Sequence, residues 1–131
     1  MKWTEAYRTG IPELDAQHRT LFQMSEDFQA TIAEGRGARS YGEFLASLRL
    51  YVKAHFGIEE GCMFRHRCPA YAANRRAHAG FSLALADLEA RFQRDGYSAM
   101  AAQGAMELVD QWLHDHVLRI DTQLRPLAEQ G

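Results

Sequence analysis

The sequence predicts an all-α protein, an up-down-up-down antiparallel four-helix bundle preceded by an N-terminal arm. Apolar residues recur every three or four positions in four long segments, which is the spacing of a helix with one buried face. Short breaks rich in Gly, Pro and Ser separate the segments, and short connections favour antiparallel neighbours. Period-two alternation is absent and β-branched residues are sparse, so no segment predicts a strand.

The length of 131 residues predicts a single domain over residues 1–131 that needs no disulfide to fold. A net charge of −2 argues against a dedicated nucleic-acid-binding protein, which would usually be basic. No stretch is apolar enough to span a membrane, and the first residues lack the apolar core of a signal peptide. We therefore expect a cytoplasmic protein in which Cys62 and Cys68 are free thiols.

The first ten or so residues predict an arm that packs across the bundle through Trp3 and Tyr7. The first helix is predicted over residues 12–33, because Pro12 suits a first helical position. Its buried face is predicted to comprise Leu14, His18, Leu21, Ser25, Phe28 and Ile32.

The second helix is predicted over residues 41–64, since Ser40 and Glu43 have the spacing of a capping box. His55 and Glu59 lie one turn apart in the middle of its apolar face. The third helix is predicted over residues 70–94. Its apolar face is predicted to comprise Tyr71, Asn74, His78, Phe81, Leu85, Leu88 and Phe92.

The fourth helix is predicted over residues 99–127, with Ser98 as its N-cap. His116 lies on its apolar face, whereas His114 falls on the polar face and His66 falls in the loop before the third helix. We expect His66 and His114 to be solvated. The apolar face is predicted to comprise Met106, Val109, Leu113, His116, Ile120 and Leu124.

Ionisable side chains thus lie on the apolar faces of all four helices, where a group without a partner costs several kcal/mol to bury. A single buried histidine is more often a hydrogen-bonded core residue than a ligand. Four histidines from four helices indicate a metal in the middle of the bundle. Imidazole and carboxylate donors suit iron or manganese, and zinc remains possible. The histidines are His18, His55, His78 and His116.

Four short stretches carry a resemblance to a known family. They are Asp15-Ala16-Gln17-His18 after Trp3 and Gly10; His55-Phe56-Gly57-Ile58-Glu59-Glu60 with Met63; His78-Ala79-Gly80-Phe81 after Pro69; and Trp112-Leu113-His114-Asp115-His116 with Asp121. In this order they resemble hemerythrin, specifically the single-domain bacterial hemerythrins. The resemblance spans nearly the whole chain.

The resemblance implies two iron ions joined by an oxo or hydroxo bridge and by two carboxylates, Glu59 and Asp121. His18 and His55 would hold the iron with an open position, and His78 and His116 would hold the other. Spacing alone does not pair His116 with Asp121, because residues five apart on a helix face different directions. The family's ligand pocket is matched here by Phe56, Leu113 and Val117.

One residue departs from the family's pattern, which places a further histidine one turn before His78. Here that position is Asn74, and an amide oxygen is a poorer iron ligand than imidazole. The position on the second metal is therefore vacant, filled by water, or weakly held by Asn74. Tyr71, one turn earlier, and His66, from its loop, are further alternatives.

Three functions follow from the resemblance. The first is a di-iron protein that binds dioxygen or a related small ligand such as nitric oxide for storage, delivery or sensing. The second is an enzyme of the same fold that turns over peroxide or nitric oxide at a more open site, because Asn74 replaces an imidazole. The third is a degenerate site that holds one metal or none and has a structural role.

Overall fold

Four long helices form an antiparallel bundle in the structure, a computed structural model that describes residues 1–130. The helix α1 packs against α2 and α4, and α2 packs against α3. No strand occurs in residues 1–130, so the predicted fold class is confirmed. The helices are α1 (Pro12–Ala33), α2 (Gly37–Arg65), α3 (Tyr71–Asp95) and α4 (Ala99–Arg119).

The start of α2 differs from the prediction. The helix begins at Gly37, so Ser40 lies inside its first turns and its hydroxyl donates to the carbonyl of Arg36, 3.4 Å away, rather than capping the helix. A Cβ at Gly37 would collide with the Tyr97 hydroxyl. The glycine therefore lets this early turn lie directly against Tyr97, an approach that the Ser40–Glu43 pattern did not reveal.

The end of the fourth helix also differs from the prediction of one continuous helix to residue 127. The helix α4 ends at Arg119, and a single 3₁₀ turn over Asp121–Leu124 follows before a short helix, α5 (Arg125–Gln130). On a continuous helix Asp121 would point well away from His116. Because α4 ends at Arg119 and Asp121 begins the 3₁₀ turn, its carboxylate lies beside His116 instead.

The N-terminal arm packs on the bundle as predicted. It contains one 3₁₀ turn, Glu5–Tyr7, and the buried Tyr7 ring meets the edge of Phe22 with centroids 4.9 Å apart. The Tyr7 hydroxyl also forms a 2.8 Å hydrogen bond with Nδ1 of His114. The prediction that His114 is solvated is therefore wrong, because the arm covers this part of the polar face of α4.

Three apolar clusters fill the bundle, and Cys62 and Cys68 are buried free thiols in one of them. The Ser98 hydroxyl accepts a hydrogen bond from the backbone N–H of Ala101, so the predicted N-cap of α4 is confirmed. In the described residues, no helix has both the length and the apolar character needed to cross a bilayer.

Candidate metal centre

The structure brings together six side chains from all four long helices and from the 3₁₀ turn that follows α4. Each of them is at most 5% exposed. Two groups of these residues have the spacing of a metal site, and Glu59 belongs to both groups. The six residues are His18, His55, Glu59, His78, His116 and Asp121.

Glu59 presents a different oxygen to each half of this cluster. Its Oε2 lies 2.8 Å from Nε2 of His18 and 3.3 Å from Nε2 of His55. Its Oε1 lies 3.0 Å from Nε2 of His78 and 3.8 Å from Nε2 of His116. One carboxylate therefore faces two pairs of imidazoles at once, which is the arrangement a bridging ligand needs.

Asp121 spans the same two halves from the opposite direction. Its Oδ2 lies 3.1 Å from Nε2 of His18, and its Oδ1 lies 3.1 Å from Nε2 of His116. Within residues 1–130 both oxygens are buried and lack a partner with hydrogen-bonding geometry. Buried carboxylate oxygens seldom stay unpaired. A cation between each oxygen and its neighbouring imidazole would satisfy both, so this donor set fits two metal ions.

The two histidines of each half also lie close to each other. Nε2 of His78 and Nε2 of His116 lie 3.2 Å apart, and the rings of His18 and His55 meet edge to face at 4.8 Å. The nitrogens of each pair thus converge on one point, where a single ion would be shared by both rings.

The carboxylates and imidazoles of this cluster shift one another's pKa values. Burial lowers the pKa of His18, but the carboxylates of Asp121 and Glu59 outweigh burial and raise the pKa to about 10. Burial likewise lowers the pKa of His116, and Asp121 together with Glu59 raises it to about 9. Burial raises the pKa of Glu59, whereas hydrogen bonds from the four histidines lower it well below its usual range. A cation would take the place of the imidazolium protons.

Two further side chains orient the imidazoles from outside the cluster. His55 donates from Nδ1 to Oε1 of Gln17 across 2.6 Å, and His78 donates from Nδ1 to Oε2 of Glu60 across 2.9 Å. Such bonds fix the ring nitrogen that faces a metal and make the ring a stronger donor. Sequence reasoning missed both roles, because no spacing rule relates Gln17 on α1 to His55 on α2.

Comparison with known proteins identifies the family to which this arrangement belongs. The model of the hemerythrin family, described as the hemerythrin HHE cation binding domain, matches residues 9–128. The chain belongs to the hemerythrin family. Hemerythrins bind metal ions, typically two irons, and small ligands such as oxygen.

Curated relatives and solved structures agree with this assignment. The chain is 31% identical over 122 residues to a bacteriohemerythrin of Methylococcus capsulatus, covering 92% of this chain and 91% of the relative. It is 26% identical to a bacteriohemerythrin of Stenotrophomonas maltophilia, covering 88% of this chain and 72% of the relative. A crystal structure of wild-type hemerythrin superposes with a TM-score of 0.85 at 29% identity, covering 98% of this chain and 97% of that one.

Asn74, where the hemerythrin pattern has a histidine, lies fully buried against Glu59. Its Nδ2 donates to Oε1 of Glu59 across 3.1 Å and lies 3.2 Å from Sδ of Met63. Its Oδ1 is buried and lacks a partner within residues 1–130. In this orientation the amide holds the carboxylate rather than presenting an oxygen to a metal.

The two residues that the sequence offered as alternative ligands, Tyr71 and His66, lie elsewhere. Tyr71 is half-buried, with its ring 5.6 Å from the Phe64 ring and beneath the guanidinium of Arg75. His66 is half-buried and donates from Nδ1 to the carbonyl of Cys62 across 2.9 Å. The sequence predicted that His66 is solvated. In the structure its ring instead folds back onto the end of α2, so the side chain is only partly exposed to solvent.

The three predicted pocket residues belong to one buried apolar cluster of the hemerythrin fold. Phe56 stacks on His78 with ring centroids 3.7 Å apart and planes within 6° of each other. Leu113 and Val117 are buried on α4 in the same cluster as Phe56. Trp112 stacks on His116 with centroids 4.2 Å apart, a contact that the sequence did not predict. Apolar rings thus cover both imidazoles of the second pair.

Proposed function

We propose that the chain is a di-iron protein that reversibly binds dioxygen or a related small ligand such as nitric oxide. The observation that carries this proposal is the position of Glu59, whose two oxygens face two different pairs of imidazoles. Asp121 faces one imidazole of each pair in the same manner. Two bridging carboxylates require two metals, and the membership in the hemerythrin family supports iron.

Each half of the cluster would hold one iron. His18 and His55 would share one ion with Oε2 of Glu59 and Oδ2 of Asp121. His78 and His116 would share the other with Oε1 and Oδ1. Imidazole nitrogen together with carboxylate oxygen is a donor set that suits iron in its common oxidation states. When bound, two irons joined by an oxo or hydroxo bridge would supply the electrons with which dioxygen is held.

The protein's own contribution is to orient the donors and to exclude water. Gln17 and Glu60 fix the His55 and His78 rings through hydrogen bonds, so the Nε2 atoms face inward. Phe56, Leu113 and Val117 would form the apolar wall of the ligand pocket. An apolar wall keeps bulk water and protons away from a bound oxygen species, which favours release of the ligand over its reduction.

The alternative function is turnover of peroxide or nitric oxide by the same centre, and Asn74 is the observation that favours it. Because Asn74 directs its Nδ2 at Glu59, the second metal would have two imidazoles and a position open to water. Open positions on both metals would let a ligand contact both ions. Turnover then becomes easier than reversible binding.

Metal analysis of the purified protein, combined with optical spectra, tests both proposals. We expect two irons per chain after anaerobic loading with Fe²⁺, and a new charge-transfer absorption on exposure to dioxygen. Removal of dioxygen should abolish the absorption if binding is reversible. Rapid, irreversible conversion to the oxidised form with consumption of added peroxide would favour the enzyme. A single ion or no ion per chain would contradict both proposals and leave a structural role.

A further inference from the structure

One stretch of the chain carries exposed arginines with no acidic residue between them, and the metal centre does not explain this pattern. Four of the chain's fifteen Lys and Arg residues lie between Gly61 and Ala86, whereas none of its seventeen Asp and Glu residues does. The whole chain has a net charge of −2, so the remainder is clearly acidic. This basic surface lies where α2 ends and α3 begins.

We name this surface the α2–α3 corner and define it by five exposed side chains. Phe64 is 69% exposed, although a large aromatic ring usually avoids water. Its ring lies 5.6 Å from that of Tyr71, and the Arg75 guanidinium lies over Tyr71 at 5.7 Å. Aromatic and arginine side chains are the residue types enriched at protein interfaces. The five side chains are Phe64, Arg65, Arg67, Arg75 and Arg76.

A short series of contacts connects the corner to the candidate metal centre. Nε of Arg75 lies 3.6 Å from Oε1 of Glu60, and Oε2 of Glu60 accepts the 2.9 Å hydrogen bond from Nδ1 of His78. His78 in turn presents its Nε2 to Glu59. Glu60 thus contacts both the arginine at the surface and a proposed iron ligand, so a partner bound at the corner would lie close to the proposed metal site.

We propose that the α2–α3 corner docks an acidic one-electron carrier protein that reduces the di-iron centre. The proposal rests on the proposed function, because a centre that binds dioxygen is oxidised when the ligand leaves as a reduced species. In each encounter the carrier's reduced centre would lose one electron and one ferric ion would gain it. Two encounters would restore the diferrous form. Glu60 and His78 would form the route, and the arginines would orient the acidic partner through long-range attraction.

The test compares charge reversal at the corner with the same charge change elsewhere. The corner variant is Arg67→Glu combined with Arg76→Glu, and the matched control is Arg39→Glu combined with Lys53→Glu. All four positions are exposed. The probe is a small acidic [2Fe–2S] ferredoxin, and a basic cytochrome c serves as the opposite-charge probe. Binding is measured with metal-free and iron-loaded protein, and the reduction rate is measured by stopped flow at low and high salt.

At low salt we expect the corner variant to associate with ferredoxin roughly tenfold more slowly than the control variant does. Its reduction by ferredoxin should be slower by the same factor. High salt should remove the difference, and reduction by dithionite should be equal in the two variants. Phe64→Ala should weaken ferredoxin binding without changing its salt dependence. Cytochrome c should show no preference for the wild-type corner.

Equal binding and equal reduction rates in the corner and control variants would overturn the proposal. It would also be overturned if the corner charges governed binding to vesicles containing phosphatidylglycerol and not binding to ferredoxin. Because docking is also measured with metal-free protein, a docking failure is distinguishable from a failure to load two irons. The iron count and the spectral response to dioxygen decide the proposed function.

Discussion

Asn74 donates a hydrogen bond from its side-chain nitrogen to Oε1 of Glu59 across 3.1 Å, and both side chains are fully buried. The same oxygen faces the imidazoles of His78 and His116. An amide at this position therefore binds the Glu59 carboxylate, whereas a histidine there would add a nitrogen donor beside it. This exchange of a ligand for a hydrogen-bond donor sets the chain apart from the family's pattern.

Replacing Asn74 with histidine should restore a third imidazole to the second metal. The position lies one turn before His78 on the same face of α3, so a histidine could reach the metal without a change in the backbone. We expect the second iron to be lost about tenfold more slowly in the presence of a chelator. Oxidation of the oxygen-bound form should also be slower, because water would no longer reach that ion. Iron release and the decay of the oxygen-bound spectrum provide the measurements.

Asn74→Leu is the matched control, since leucine has nearly the same size and neither donates nor ligates. It should release iron at least as fast as the wild type. If Asn74→His and the wild type lose iron at the same rate, another group already fills the position, or the second metal is not held by His78 and His116.

Glu59→Gln should abolish binding of both metals while preserving the shape of the side chain. Both oxygens of Glu59 face imidazoles, so removing its charge affects both halves of the site. Glu13→Gln, on the exposed side of α1, removes the same charge and should leave two irons per chain. Two tightly bound irons in Glu59→Gln would refute the bridging role.

The sequence predicted much of this site because helical spacing fixes direction. His18, His55, Glu59 and His78 each lie on an apolar face of a long helix, and the packing of four such faces brings the side chains together. The role of Asp121 came only from the resemblance to hemerythrin. Its position depends on the end of α4 at Arg119 and the turn that follows, which no periodicity reveals.

Contacts between elements distant in the chain were the part that could not be predicted. Gln17 binds His55 from another helix, and Tyr7 of the arm binds His114. Each pair depends on how two elements pack, whereas spacing reports only the face of a single helix. The prediction of a capping box at Ser40 was wrong for a related reason. The helix begins earlier, at Gly37, where Tyr97 packs.

Two serines offer a direct test of capping in this bundle. Ser98 accepts a hydrogen bond from the N–H of Ala101, so Ser98→Ala should lower the free energy of unfolding by about 1 kcal/mol. Ser40 lies inside α2, so Ser40→Ala should raise that free energy by up to about 0.5 kcal/mol or leave it unchanged, because alanine is the better helix former. Urea unfolding of the two variants measures the difference. A larger loss in Ser40→Ala would place the start of α2 at residue 41 after all.

Removing the metals should destabilise the bundle without unfolding it. Three apolar clusters pack independently of any ion, and the charged groups of the site can pair with one another. Bound metal should nevertheless raise the melting temperature, since it binds only the folded chain. Far-ultraviolet circular dichroism of the chelated protein should therefore retain the helical signal and show a lower melting temperature. A random-coil spectrum would mean that the core is too weak to fold alone.

The stability of the metal-free protein should fall as the pH rises from about 6.5 to 10. The pKa of His18 is raised from 6.5 to about 10 and that of His116 to about 9, so both imidazolium ions stabilise the fold fully below pH 6.5. That contribution is lost as the pH passes through 9 and 10, because the folded protein then releases the protons. The pKa of Glu59 is lowered, so its contribution is present above its ordinary value of 4.5 and is lost below it. Melting temperatures of the chelated protein between pH 4 and pH 10 should therefore peak between these limits.

His18→Gln should flatten the alkaline decline, and His66→Gln, outside the cluster, should preserve it. An alkaline decline that is equally steep in His18→Gln would show that these protons do not hold the site together.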